Sequence, residues 1–257
     1  MAYMYLPASP GIGAPRVETV LPNPHVRPGE PVQGHVDLVG GAAPAHIGRV
    51  LLGMRTRVEA EAHGREYKAP VDTATVHLGG PFVLGPGEHR RIPFTYPLSI
   101  QAPLTFAWGH PLYGSELGLS TFVEIGGAVS ATDLDPLAVH PLPAQQAVLD
   151  AVVGLGFSLI QTDMEHGRIS GVHHEMPYHQ EFEFRPGPNY MSRMEELELA
   201  FVAAPLGVLV VLEADKRGSL LTEGVDRLGG FQIPQQAADY RPQVQHQIET
   251  LLRGRRL

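Results

Sequence analysis

The residues best equipped for chemistry lie in one run, His173-His174-Glu175-Met176-Pro177-Tyr178-His179. Imidazole and carboxylate are zinc donors, and a zinc-bound water would be a hydrolytic nucleophile. The zincin pattern, however, needs two His four apart on one helical face. Here His174 and His179 are five apart with Pro177 between them, and proline interrupts a helix. On an extended segment His179 and Glu181 share a face. A surface metal site, or a metal-dependent enzyme, built on His173, His174 and His179 is therefore one reading. The plainer expectation is a polar loop running into a strand edge.

Other chemistry finds less support. Gly118-Leu-Ser120-Thr-Phe122 and Gly156-Phe-Ser158-Leu-Ile160 both lack the closing glycine of a nucleophile elbow. The chain has no Cys, which excludes a thiol nucleophile, a thiolate metal site and a disulfide framework. Gly11-Ile12-Gly13 has neither the third glycine nor the preceding strand of a phosphate loop. The carboxylate pairs Glu181/Glu183 and Glu196/Glu198 alternate with apolar residues, as do Arg55 and Arg57, so both sets read as solvated strand faces. No catalytic residue and no cofactor is expected.

What must position these groups is a β-rich chain of 257 residues, long enough for two cores. The division falls at Asp133 to Pro143, where Pro136, Pro141 and Pro143 exclude helix and disfavour a central strand. This gives a first domain over 1–135, a proline-rich hinge over 136–143 and a second domain over 144–257. Before the hinge, period-2 alternation over Arg16–Leu21, Val32–Leu38, Val50–Glu59, Tyr67–Leu78, Ile92–Tyr96 and Leu117–Ile125, cut by Gly and Pro turns, predicts an antiparallel sandwich. Met1 to Pro15 reads as a mobile leader or docking arm. Trp108, the lone tryptophan, is expected to anchor a long loop.

After the hinge, Gln145, Val148, Leu149, Val152 and Leu155 predict a short amphipathic helix stopped by Gly156. Strands follow over Phe157–Met164, Gln180–Arg185, Leu197–Phe201 and Val208–Leu212, and Leu220 to Gln236 reads as a linker. Asp239 is placed to cap a last helix whose Tyr240, Val244, Ile248 and Leu251 form one apolar stripe. That stripe must cover its own domain, a second copy in a homodimer, or another protein.

Charge sets further bounds. Residues 1–135 hold 9 Lys+Arg against 12 Asp+Glu, and the whole chain carries −8, so neither half resembles a nucleic-acid surface. No apolar run reaches the ~20 residues of a membrane helix, and Met1 to Pro10 lacks a signal-peptide pattern. A cytoplasmic protein is expected.

Three stretches, in order, resemble the sporulation-control (stage-zero M, SpoOM) family of arrestin-like bacterial proteins. The first runs from Val17-Glu18-Thr19 through Pro28-Gly29-Glu30 to Gly40-Gly41. The second runs from Asp133-Leu-Asp-Pro136 to Gly156-Phe157. The third runs from Glu181-Phe-Glu-Phe184 through Glu195-Glu196-Leu197-Glu198 to Glu213-Ala-Asp-Lys-Arg-Gly218. The resemblance implies two tandem arrestin-like β-sandwiches in a non-enzymatic regulatory scaffold whose partners are other proteins. By the same analogy, Asp215, Lys216 and Arg217 are candidates for a polar network with Asp133 or Asp135 across the domain junction; otherwise they form a solvated turn.

Overall fold

The computed structural model describes residues 13–62, 65–126, 130–169, 171–215 and 229–253. Most of the leader, Lys216 and Arg217, the first part of the expected 220–236 linker, and Arg255 and Arg256 lie outside those residues.

The first half opens with β1 (Arg16–Val20), β2 (His25–Val26) and β3 (Pro31–Val39), followed by the long hairpin of β4 (Ala45–Ala62) and β5 (Arg65–Gly79). Then come β6 (Phe82–Leu84), β7 (His89–Pro97), β8 (Phe106–Ala107), β9 (His110–Pro111) and β10 (Leu117–Ile125). One sheet has the order β1-β3-β7, and β10, β4 and β5 lie side by side in a second. Alternation does the sorting. Val32, Val36 and Leu38 from one sheet and Leu52, Met54 and Leu119 from the other are all fully buried, so the two inner faces make a sandwich core.

The proline-rich stretch is extended, as its composition dictates, and it also takes part in the sheets. β11 (Ala131–Pro136) is an edge strand on β10, with Pro136 at its last position, where a missing donor costs least. β12 (Ala138–Val139) pairs in parallel with β2. Helix α1 (Pro143–Gly154) starts on Pro143, which suits the first helical turn. Gln145 Oε1 accepts the Leu142 N–H at 2.8 Å, and Gly156, at φ +97°, turns the chain out as a left-handed cap.

The second half is an antiparallel run of β13 (Ser158–His166), β14 (Tyr178–Arg185), β15 (Glu196–Ala204), β16 (Gly207–Asp215) and β17 (Gly229–Ile233). β17 falls inside the segment expected to be a linker. Gly229-Gly230-Phe-Gln-Ile carries too little alternation to announce a strand, and pairing with β16 is what extends it. Helices α1 and α2 (Arg241–Arg253) pack together, and α2 also rests on β16 and β17. The fold is thus mainly β and arrestin-like, with a short helix after the hinge and a C-terminal helix. A single parallel bridge, Glu59 to Glu165, joins β4 to β13, and the buried apolar residues of both halves form one continuous cluster.

Candidate functional site

Several buried polar groups meet at the junction between the halves. Gln180, buried on β14, is its hub. Its Oε1 accepts the Leu104 N–H at 2.7 Å, and its Nε2 donates to Leu104 O at 2.7 Å and to Ser115 Oγ at 3.2 Å. Gln101 reaches across to donate to His173 O and Ala203 O, and accepts from the Glu175 N–H. Gly114, at φ +90°, lies so close to β13 that a Cβ would sit 2.0 Å from Thr162 O. On the outer side Lys68 of β5 bonds both Glu59 (3.0 Å) and the buried Asp163 of β13. Burial works against the Asp163 charge, but the Lys68 ammonium and a hydrogen bond from Glu183 hold its carboxyl below the usual range.

The histidine run is spent on structure. His174 is buried and its Nε2 accepts the Ile169 N–H at 3.2 Å, so the neutral ring is favoured; burial first, then the His179 charge, lowers its pKa. His179 Nε2 lies 2.8 Å from Glu181 Oε1. Burial, the largest single effect, opposes protonation of His179, but the bond to Glu181, the Glu181 charge, Gly167 O and the Glu165 charge together outweigh it, so its pKa is raised. The two rings are 6.1 Å apart. Among the described residues no three His, Asp or Glu side chains gather as a group that could hold a metal ion.

The carboxylate pairs do lie on one strand face, but they are not simply solvated. Glu183, Glu198 and Glu213 stand directly opposite one another across β14, β15 and β16. Burial and then the neighbouring charges of Glu181, Glu213, Glu196 and Glu183 push the Glu198 carboxyl up to about 7. Arg55 and Arg57, on the first half, are each tied to a carboxylate, Asp72 and Glu116.

Asp133 and Asp135 do meet in a polar knot, inside the first half. Asp133 Oδ2 accepts the Thr19 N–H at 2.6 Å, and Thr19 Oγ1 lies 2.6 Å from Thr121 Oγ1. This closes the gap between the edges β1 and β11. Burial, then the Asp133 charge, pushes Asp135 up to about 6. Asp215 stands opposite Glu196 at the end of β16, with five strands between it and β11 in sheet order. The terminal stripe is covered by its own fold: Tyr240, Val244, Ile248 and Leu251 are 3%, 0%, 0% and 6% exposed.

Trp108 differs from its expected role as a packing anchor. It stays 40% exposed and lines a groove of about 470 Å³ between the halves, together with Arg27, His140, Pro141, Gln146 and Asp150. Its indole N–H donates to Asp150 Oδ1 of α1 at 2.7 Å. Neither this groove nor the Gln180 hub could be found from the sequence. Trp108 and Asp150 are 42 residues apart, Gln180 and Leu104 are 76 apart, and no local pattern links either pair.

The SpoOM protein family model matches residues 5–218. The chain is 33% identical to the sporulation-control protein spo0M of Bacillus subtilis (strain 168) over 213 residues, covering 82% of this chain and 80% of that one. The crystal structure of Spo0M, sporulation control protein, from Bacillus subtilis superposes with a TM-score of 0.78 at 27% identity, covering 94% of this chain and 99% of that one.

Proposed function

The chain belongs to the SpoOM protein family, and we propose that it is a regulatory protein that works by binding other proteins rather than by catalysis. The observation that carries this reading is the identity with a sporulation-control protein over four-fifths of both chains. The described surface is consistent with it. Among the described residues β5 pairs only with β4 and β17 only with β16, so each has a far edge whose backbone groups could accept an added strand. The two bodies, 1–135 and 144–257 around the 136–143 hinge, would act as one platform in the cytoplasm. A homodimer, on this reading, forms through sheet edges or the leader, because the terminal stripe is already covered.

In-cell crosslinking of the tagged full chain, followed by affinity capture and reconstitution with purified partners, tests the proposal. A defined complex that re-forms from pure components supports it. Captured proteins of which none binds in purified form would overturn it.

A further inference from the structure

The groove beside Trp108 sets an exposed indole face beside an exposed guanidinium, that of Arg27. Trp108 and Gly109, at φ +50° and +82°, are the two corner residues of the tight hairpin joining β8 to β9. Such a corner favours Asn-Gly, and a bulky side chain in the left-handed region is disfavoured by sterics. The fold nonetheless places the sole indole there and fixes it by the bond to Asp150. Asp150 Oδ1 also accepts from Gln146 Nε2 at 2.8 Å, so this oxygen of the Asp150 carboxylate is engaged by two donors. Across from it Arg27 is exposed. Its Nη1 donates to Pro141 O, and among the described residues it makes no ion pair. A guanidinium with free N–H groups is matched by a carboxylate, and an exposed indole face by an apolar side chain.

We propose that this groove docks an extended segment of a partner protein in which a carboxylate side chain lies within a few residues of a large apolar one. The carboxylate pairs with Arg27 and the apolar side chain covers the Trp108 ring. A volume of about 470 Å³ is in the range of ligand pockets and accommodates a few residues, not a folded domain. This names a partner class for the protein-binding reading given above and rests on it.

The test uses a displayed library of random twelve-residue peptides, selected on the full-length protein. Selected peptides are then titrated against wild type, Arg27→Glu and Trp108→Asn. Because Trp108 is the only tryptophan, its fluorescence reports on the groove alone. The expected result is enrichment of Asp or Glu near Leu, Ile or Phe, a change in Trp108 emission on binding, and at least tenfold weaker binding by both variants. Trp108→Asn suits the corner geometry, and unchanged thermal melting of that variant separates lost binding from lost folding. Peptides that carry no acid, or that bind both variants as tightly as wild type, overturn the groove while leaving partner binding elsewhere intact. If the library yields no binder, the groove inference also fails. Only the failure of reconstituted partner complexes removes the protein-binding reading itself.

Discussion

The side-chain amide of Gln180 pairs with both backbone groups of Leu104, at 2.7 Å in each direction, as a strand residue would pair with its neighbour. One side chain thereby completes the hydrogen bonding of a loop from the first half on a strand of the second. Gln180→Leu removes all three bonds and leaves the Leu104 N–H buried without its partner, while Leu104 O keeps the bond donated by Ser115 Oγ at 2.7 Å. Each buried polar group so stranded costs about 1–3 kcal/mol. The variant is expected to lose about 1–3 kcal/mol in denaturant unfolding, and a loss below about 0.5 kcal/mol would show that the junction does not depend on this residue.

His25 Nδ1 and His140 Nε2 lie 2.9 Å apart where β2 meets β12, with the Phe106 ring 4.7 Å from that of His140. The contact needs at least one neutral ring. Burial first, then the His25 and Arg27 charges, lower the His140 pKa, with Glu30 acting weakly the other way. A histidine with a lowered folded pKa takes up its proton more readily when unfolded. Its contribution is therefore complete above the unfolded value near 6.5 and is lost as pH falls below it. Thermal melting of wild type should drop from pH 7 to pH 5 more steeply than that of His140→Gln; parallel profiles would contradict this.

Glu198 works in the opposite sense. Its carboxyl is raised to about 7, so its protonated form is the one the fold favours, and stability falls as pH rises through that value. Glu198→Gln keeps the shape without the charge. We expect a gain of about 1 kcal/mol at pH 8, or about 2–4 °C in Tm, fading toward pH 4.

Lys68 neutralises Asp163, which is 5% exposed, and Glu59 beside it. Lys68→Met leaves the buried carboxylate without its cation, at a cost of about 2–4 kcal/mol near neutral pH. Protonating Asp163 relieves the penalty, so the difference from wild type should narrow by pH 4. A pH-independent deficit would point to lost packing of the lysine stem instead.

Ile248, on the inner face of α2, is fully buried. Ile248→Ala should cost about 2–4 kcal/mol through the cavity it leaves. Sedimentation velocity should return the same oligomeric state as wild type, because the stripe covers its own sheet. A shift in mass with preserved stability would return the stripe to a role between copies.

Alternation and turn residues made most of the fold legible. Val32, Val36 and Leu38 face the core because a strand has a period of two, and Gly156 ends α1 because it alone adopts the left-handed cap cheaply. The apolar stripe of α2 was equally plain from its spacing. What covers that stripe was not, since periodicity reports that a face is buried and never against what. The carboxylate faces show the same limit: Glu183, Glu198 and Glu213 alternate like any solvated residues, and only strand register sets them opposite one another. The family likeness was also written in the chain, in stretches such as Glu181-Phe-Glu-Phe184 and Glu213-Ala-Asp.

The sequence by itself determined the class, a β-rich chain with two short helices, because those properties follow from composition and from neighbours within a few residues. Tertiary structure alone decided that Gln180 would clasp Leu104, that Lys68 would sit on Asp163, and that Trp108 would stand half-exposed beside Arg27 in a groove between the halves. These relationships join residues 76, 95 and 81 positions apart, and such distances are closed by chain topology and burial of the common core, which no local pattern encodes.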